Sequence, residues 1–286
     1  MSEAFTAGLV QLTAGPEIAP NLAAIEDMTR AAKADAANLV CLPENCTQIE
    51  PNKEKIIGQA TGETEHPALP RLQQLADELD VWLQVGSLTV RASSKHCWNR
   101  SYLLGPDGAV AARYDKIHLF DVAVGDGQTY RESSYTMPGS SAALARLPWG
   151  LLGLSVCYDL RFPHLYRHLA QAGADFLTIP SAFTKVTGTA HWHVLLRARA
   201  IETGCFVLAA AQCGTHARGR QTYGHSLVVD PWGEVLADGG EEIGVVTARI
   251  DPAAVLEARR RIPALEHDRP FAASASDSGQ PRGRAS

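Results

Sequence analysis

The chain contains 286 residues, of which 45% are hydrophobic, and carries a formal net charge of -5 at pH 7. This length is enough to bury one large core, so we expect one domain over residues 1–271 and a disordered tail over residues 272–286, where Ser, Ala, Gly and Arg dominate. The negative charge argues against a nucleic-acid surface, and the lack of a basic leader or a long apolar run predicts a cytoplasmic protein that does not bind membranes.

The first part of the chain predicts strands that alternate with helices. Residues 5–12 favour a strand, and an alanine-rich helix is expected over residues 21–36 with Asn21 as its N-cap. Residues 38–42 form a short apolar strand that ends just before Glu44. Open sheets carry their chemistry at the carboxyl ends of strands, which makes Glu44 a candidate functional residue. An exposed loop carboxylate is the alternative that this segment leaves open.

The next segments predict a helix over residues 67–79, strands over 81–90 and 98–104, and a β-hairpin over 102–113. The hairpin turns at a Gly-Pro-Asp-Gly sequence and leads into Lys116. Because Lys116 follows a strand and precedes an apolar stretch, it is a candidate for a partly desolvated, fixed cation. A solvated surface lysine is the simpler alternative.

The centre of the chain holds a long polar segment over residues 121–138, which contains Glu132. Loops of this length in compact domains tend to be functional. A buried strand over 151–156 then precedes a helix over 163–172, which places Cys157 at a strand-to-helix elbow. Rigid backbone and nearby helix N–H groups suit a nucleophile there. A small buried hydrophobic residue is the alternative for this cysteine.

The last part of the chain predicts three strands, one hairpin and two helices. A strand over 176–179 precedes a helix over 189–203, a strand over 205–211, a hairpin over 224–236, a strand over 243–250 and a helix over 253–261. Alternating strands and helices, with hairpins between them, predict an α/β fold in which two layers of mixed sheet are covered by helices. The nucleotide-binding patterns G-x-G-x-x-G and G-x-x-x-x-G-K-[ST] do not occur, which argues against a nucleotide ligand.

Cysteines and histidines do not indicate a metal site. The six cysteines lack the paired short spacing of a zinc site or a disulfide scaffold, so we expect reduced thiols. Two histidine pairs, His191 with His193 and His164 with His168, have suitable spacing but no carboxylate or cysteine beside them. We therefore expect neither a metal nor a cofactor.

Glu44, Lys116 and Cys157 each follow a predicted strand and are expected to project into one pocket. Glu44 can take the thiol proton and later deprotonate a water molecule, while Lys116 and the backbone N–H of Tyr158 can stabilise an oxyanion. Ser155 is not an equivalent nucleophile, because its segment lacks the second glycine of a G-x-S-x-G elbow.

The segments around these three residues resemble the signatures of the nitrilase, or carbon-nitrogen hydrolase, superfamily. They read Leu42-Pro43-Glu44, Tyr114-Asp115-Lys116-Ile117-His118-Leu119 and Cys157-Tyr158-Asp159-Leu160-Arg161-Phe162-Pro163. The similarity extends over residues 4–271 and is strongest to the Nit branch, in particular to amidases of deaminated glutathione. Further segments that match the Nit branch lie at residues 180–183, 190–192, 195–203, 209–214 and 223–233.

The resemblance implies an α-β-β-α sandwich that pairs with a second copy, so a homodimer or larger homo-oligomer is expected. It also implies that Glu132 is a second active-site glutamate, which positions Lys116 and the substrate, and that the reaction needs no cofactor. His193 departs from the family pattern, since several relatives carry glutamate after the His-Trp pair. This departure leaves the three catalytic residues unchanged and affects the expected substrate selectivity.

The family further implies amide hydrolysis through a thioester, with deaminated glutathione cleaved to 2-oxoglutarate and cysteinylglycine. Such a substrate needs a cation for its carboxylate. Arg161 is the candidate, with an ion pair to Asp159 or Asp175 as its alternative role, and Phe183 is expected to form a wall of the pocket. The alternative functions are an ω-amidase acting on 2-oxoglutaramate, an N-carbamoyl amino acid or amine hydrolase, and a catalytically silent binding protein.

Overall fold

The computed structural model describes residues 3–125 and 127–271, so the predicted tail over 272–286 lies outside the described residues. The strands are β1 (Phe5–Gln11), β2 (Leu39–Cys41), β3 (Trp82–Arg91), β4 (Cys97–Leu104), β5 (Val110–Asp115), β6 (Asp121–Ala123), β7 (Thr129–Arg131), β8 (Ala143–Leu147), β9 (Gly150–Leu154), β10 (Phe176–Thr178), β11 (Phe206–Ala209), β12 (Cys213–Thr215), β13 (Gln221–Tyr223), β14 (Leu227–Val229), β15 (Val235–Asp238) and β16 (Gly244–Ile250). The α-helices are α1 (Ile18–Ala34), α2 (Lys53–Gln59), α3 (Leu69–Leu79), α4 (Pro163–Gln171), α5 (Lys185–Thr203) and α6 (Ala253–Arg261). Short 3₁₀ helices cover Glu63–Glu65, Glu132–Ser134, Cys157–Arg161 and Ala217–Gly219.

Two six-stranded sheets share one pairing pattern. The first has the order β16-β1-β2-β3-β4-β5, and the second has the order β8-β9-β10-β11-β14-β15. In each sheet three parallel strands, β1-β2-β3 or β9-β10-β11, are flanked by antiparallel ones. Parallel strands need crossover connections, which α1, α3, α4 and α5 supply.

Successive residues of β1 and β2 enter two different cores, as expected for strands whose side chains alternate between faces. Leu9 and Leu39 lie in the core shared with the second sheet, whereas Val10 and Val40 lie in the core beneath α1 and α3. Helices α4 and α5 pack on the second sheet. The layers therefore run helix, sheet, sheet, helix, which confirms the predicted α-β-β-α sandwich.

Local details differ from the sequence-based expectations at three places. Helix α1 begins at Ile18, so Asn21 does not cap it; the buried Asn21 amide instead bonds Gly15 and the carbonyl of Thr47. Helix α5 begins at Lys185, because the Thr184 side chain caps it. The polar segment after β5 is not an open loop, since the β6–β7 hairpin and a 3₁₀ turn lie within it.

Among the described residues, every helix is too short or too polar to cross a lipid bilayer.

Gly86 allows β3 to pass directly against the turn that carries Glu44. A Cβ at this position would lie 2.0 Å from the carbonyl oxygen of Pro43 and 2.2 Å from that of Leu42. Because these contacts are with backbone atoms, a side chain can be accommodated only if the turn moves. We expect Gly86→Ala to lower the free energy of unfolding by about 3 kcal/mol or more, as measured by urea denaturation.

Gly58 in α2 offers the control, because no atom lies within 4 Å of a Cβ built there. Gly58→Ala should be neutral or slightly stabilising, since alanine restricts the unfolded chain more than glycine does. Equal stabilities of the two variants would show that the β3 contact does not constrain the turn.

Candidate active site

The ends of three strands place the predicted residues around one cavity of about 530 Å³ of free space. Glu44 follows β2, Lys116 follows β5 and Cys157 follows β9. Glu132, from the 3₁₀ turn after β7, joins them in the cavity wall. Four candidates that lie far apart in sequence are thus brought together.

A buried ion network joins Lys116 to both glutamates. Its Nζ lies 2.7 Å from Oε1 of Glu44 and 2.9 Å from Oε2 of Glu132. Asn99 donates its amide N–H groups to the same two carboxylates, at 3.0 and 3.1 Å. Oε2 of Glu132 also accepts the backbone N–H of Phe120 at 2.7 Å, and Ala182 donates its backbone N–H to Oε2 of Glu44 at 3.0 Å. The two carboxylates are consequently fixed on either side of one ammonium group.

The charges of this network are set by burial and by mutual contact. Burial alone would raise the pKa of Glu44, but the charge and hydrogen bond of Lys116, with smaller effects of Cys157 and Arg220, leave that pKa below its ordinary value. Burial alone would lower the pKa of Lys116, but Glu132 and Glu44 raise it well above its ordinary value. At neutral pH Glu44 is therefore a carboxylate and Lys116 an ammonium ion.

Cys157 lies at the elbow in a left-handed backbone conformation, with a φ of 50°. Such a conformation is uncommon for a residue with a side chain and is held here by the Cys157 N–H, which donates to Pro180 O at 2.9 Å. Burial, followed by the negative charge of Glu44, raises the pKa of the thiol, while Lys116 acts in the opposite direction. The resting thiol is therefore neutral and hydrogen-bonded to Glu44, a carboxylate able to take its proton.

Asp159, which sequence reasoning did not assign to the site, connects the strand-to-helix turn at Cys157 to the segment around Lys116 through hydrogen bonds. It is fully buried and accepts hydrogen bonds from Tyr114 Oη at 2.7 Å, from the His118 backbone N–H at 3.0 Å and from the Val156 backbone N–H at 2.9 Å. Its Oδ1 also lies 2.7 Å from Nδ1 of His118. One carboxylate thus fixes the separation between the nucleophile strand and the lysine.

The structure separates the predicted substrate-binding residues into two groups. Tyr158 and Phe183 line the cavity. Arg161 does not: its guanidinium lies over the ring of Phe183, 5.3 Å from the centroid, and its Nη2 lies 3.3 Å from Nδ1 of His191. Within the described residues Arg161 forms no ion pair with Asp159 or Asp175, because Asp159 accepts hydrogen bonds from other groups and Asp175 pairs with Arg259 at 3.8 Å.

Arg220 lines the cavity instead, although no sequence motif pointed to this residue. Its Nη2 donates to the carbonyl of Ala182 at 3.0 Å, and its guanidinium lies 5.6 Å from the ring centroid of Tyr130. The Nε atom is buried and has no hydrogen-bond partner within residues 3–125 and 127–271. An unpaired buried donor on a cation favours an anionic ligand at this point.

The histidine pairs considered from the sequence do not form ligand sets. His193 lies outside the cavity lining and contacts Asp238, 3.1 Å from its Nε2. In the described part of the chain, His193, His225 and Asp238 form a group of potential metal-ligand atoms that lie within 4.8 Å of one another. Both imidazoles already bond the Asp238 carboxylate, so this cluster is complete as a hydrogen-bonded unit.

The fold and the site together define a class of proteins, α-β-β-α sandwiches in which a buried cysteine lies beside a glutamate and a lysine. Residues 6–260 match the family model described as carbon-nitrogen hydrolase. The chain therefore belongs to the carbon-nitrogen hydrolase family, as its signature segments predicted.

Three known proteins illustrate the relationship. The deaminated glutathione amidase of Synechocystis sp. (strain PCC 6803) is 42% identical over 267 residues, which are 92% of this chain and 97% of that protein. The crystal structure of the C. elegans NitFhit protein is similar with a TM-score of 0.87 and 38% identity over 94% of this chain, which spans 66% of that chain. A mutant amidase from Nesterenkonia sp. AN1, with acrylamide added at its active-site cysteine, has a TM-score of 0.77 and 27% identity over 91% of this chain and 98% of its own.

Proposed function

We propose that the protein is an amidase that hydrolyses deaminated glutathione to 2-oxoglutarate and cysteinylglycine, with Cys157 as the nucleophile. The observation that carries this proposal is the buried network in which Lys116 joins Glu44 and Glu132 beside the Cys157 thiol. Similarity to a deaminated glutathione amidase supports the choice of deaminated glutathione as the substrate. The modified active-site cysteine of the Nesterenkonia amidase supports the assignment of Cys157 as the nucleophile.

In the first half-reaction Glu44 takes the thiol proton and the Cys157 sulfur attacks the amide carbon. The carbonyl oxygen becomes an oxyanion, which Lys116 Nζ and the backbone N–H of Tyr158 stabilise. Tyr158 is the second residue of a 3₁₀ helix, where backbone N–H groups have no acceptor inside the helix. The C–N bond then breaks, the amine leaves with the proton held by Glu44, and a thioester remains on Cys157.

In the second half-reaction Glu44 deprotonates a water molecule that attacks the thioester. The same oxyanion donors act again, and the C–S bond breaks to give a carboxylic acid and the free thiol, which recovers its proton. Glu132 does not exchange protons in this scheme. Its contacts with Lys116 and the Phe120 backbone make it a positioning residue for the ammonium group.

The α-keto carboxylate of the substrate requires a cation in the cavity, and we assign this role to Arg220 rather than to Arg161. We expect Arg220→Met to weaken transition-state binding of α-keto acid amides by about 2 to 5 kcal/mol, because a buried carboxylate loses its partner. A neutral amide of the same length should lose little. The ratio of kcat/KM values for the two substrates measures the difference.

Arg146→Met provides the matched control for the Arg220 variant, because Arg146 is exposed on β8 and lies outside the cavity lining. Equal losses for the charged and the neutral amide would remove Arg220 from carboxylate recognition.

A panel of three amides tests the substrate assignment: deaminated glutathione, 2-oxoglutaramate and an N-carbamoyl amino acid. Released cysteinylglycine and ammonia are measured separately. The proposal predicts the highest kcat/KM for deaminated glutathione. A higher value for 2-oxoglutaramate would instead make the protein an ω-amidase, and no turnover of any amide would favour a silent binding protein.

We also propose that two copies of the chain associate, as the family resemblance implies. Exposed apolar side chains on α5, Val194 at 68% and Ile201 at 53%, support a contact surface on this helix. Light scattering at micromolar concentration should give the mass of a dimer or a larger oligomer, and a monomer mass would contradict this proposal.

The cytoplasmic location stays a prediction.

A further inference from the structure

A second, wider groove continues from the catalytic cavity toward solvent. The two spaces share Tyr130, Arg131, Tyr135 and Arg220 as wall residues. The groove is open to solvent, and its free space of about 1140 Å³ is roughly twice that of the cavity. The groove therefore lies directly beside the cavity that Cys157 lines.

The groove is positively charged although the whole chain carries a net charge of -5. Lys53 at the start of α2, Arg131 at the end of β7 and Arg218 in the last 3₁₀ helix line it together with Arg220. Glu50 is its single carboxylate within the described lining, where it bonds the backbone N–H of Asn52. Four cations therefore face one carboxylate in the described lining of the groove.

In the described part of the chain, three of the groove's four cations form no ion pair with a carboxylate. Lys53, Arg131 and Arg218 are exposed and take part in none of the ion pairs formed within the described ranges. They also come from three separate elements that converge on one space. Charged side chains that converge without partners at the exit of a reaction cavity favour an anionic portion of the ligand there.

The chemistry of the proposed substrate supplies such an anion. Deaminated glutathione carries one carboxylate on the acyl side of the scissile amide and a second one at the end of its Cys-Gly leaving group. An extended dipeptide spans about 7 Å, so the second carboxylate cannot remain beside the reacting carbon. A primary amide such as 2-oxoglutaramate has no atoms that would reach the groove.

We propose that the groove formed by Lys53, Arg131 and Arg218 is a leaving-group subsite for a short peptide with a free terminal carboxylate. The inference rests on the proposed function, because it takes the cleaved amide to be that of a 2-oxoglutaryl peptide. It makes the groove, and not the catalytic cavity, the part of the molecule that selects a peptide amide over a primary amide.

The test compares three substrates with the wild type and with the double variant Lys53→Met/Arg218→Met, because these two cations line the groove and not the catalytic cavity. The substrates are deaminated glutathione, its C-terminal glycinamide analogue, which is neutral at that end, and 2-oxoglutaramate. Deaminated glutathione should lose on the order of tenfold in kcat/KM through a higher KM, because partly exposed charge pairs contribute modestly. The other two substrates should change little.

Arg146→Met/Arg249→Met is the control, since it removes the same charge from exposed positions outside the groove. An equal loss for the acid and the glycinamide, or no loss for either, would overturn the groove assignment and leave the proposed function standing. A wild type that cleaves 2-oxoglutaramate but not deaminated glutathione would overturn both.

Discussion

Cys157→Ala should lower turnover on the order of 10⁴-fold or more and leave the protein folded. The variant removes the only atom that forms a bond to the substrate, and loss of a covalent nucleophile has effects of this size. Replacing a thiol by hydrogen shortens the side chain by one atom, so the free energy of unfolding should change by about 1 kcal/mol or less. Initial rates with deaminated glutathione and a urea denaturation curve measure the two quantities.

Cys205→Ala is the matched control for this prediction. Cys205 is also buried, and its thiol donates to the carbonyl of Ala174, away from the cavity lining. This variant should keep wild-type turnover. If Cys157→Ala also kept it, Cys157 would have no covalent role.

Lys116→Met should reduce kcat about a hundredfold or more, because it deletes a donor to the oxyanion. It should also lower the free energy of unfolding by about 3 to 5 kcal/mol, since Glu44 and Glu132 would remain buried without their cation. Lys185→Met, which removes an exposed ion pair with Glu241, is the control and should cost about 1 kcal/mol or less. Comparable unfolding midpoints for both variants would contradict the buried-network account.

The decrease in the free energy of unfolding caused by Lys116→Met should depend on pH. In the wild type the lowered pKa of Glu44 stabilises the fold above its ordinary carboxyl pKa, and this contribution is lost as pH falls through the lowered value. The raised pKa of Lys116 contributes stability below its ordinary value, which is lost only as pH rises through the raised one. Without Lys116 a buried carboxyl has a raised pKa, so the variant should gain stability relative to wild type as pH falls from about 8 to 5.

The proposed catalytic residues could be selected from the sequence because each follows a predicted strand. Glu44, Lys116 and Cys157 stand at strand ends, where local patterns locate them, and the signature segments then grouped them. The α-β-β-α layers followed from the alternation of strands and helices. Both predictions depend on information contained within a few neighbouring residues.

Residues that act across the fold gave no comparable signal. Asn99 lies inside β4 and contacts Glu44, which is 55 positions away, so its role depends on which strands are neighbours. Arg220 comes from the irregular segment between β12 and β13. Arg161 was favoured by its closeness to Cys157 in sequence, but both lie in a 3₁₀ helix, where residues four apart are rotated by about a third of a turn.

A thioester on Cys157 is the central claim, and Glu44→Gln tests it most directly. Glutamine cannot take the thiol proton, so acylation should be slower than in the wild type; it also cannot deprotonate the water that clears the thioester, so the acyl-enzyme that does form should accumulate. Intact-mass measurement of this variant after mixing with deaminated glutathione should show one added 2-oxoglutaryl group per chain, located on Cys157 and missing in the Cys157→Ala/Glu44→Gln double variant. Fast product formation by Glu44→Gln without an adduct, or an adduct on another cysteine, would contradict the account.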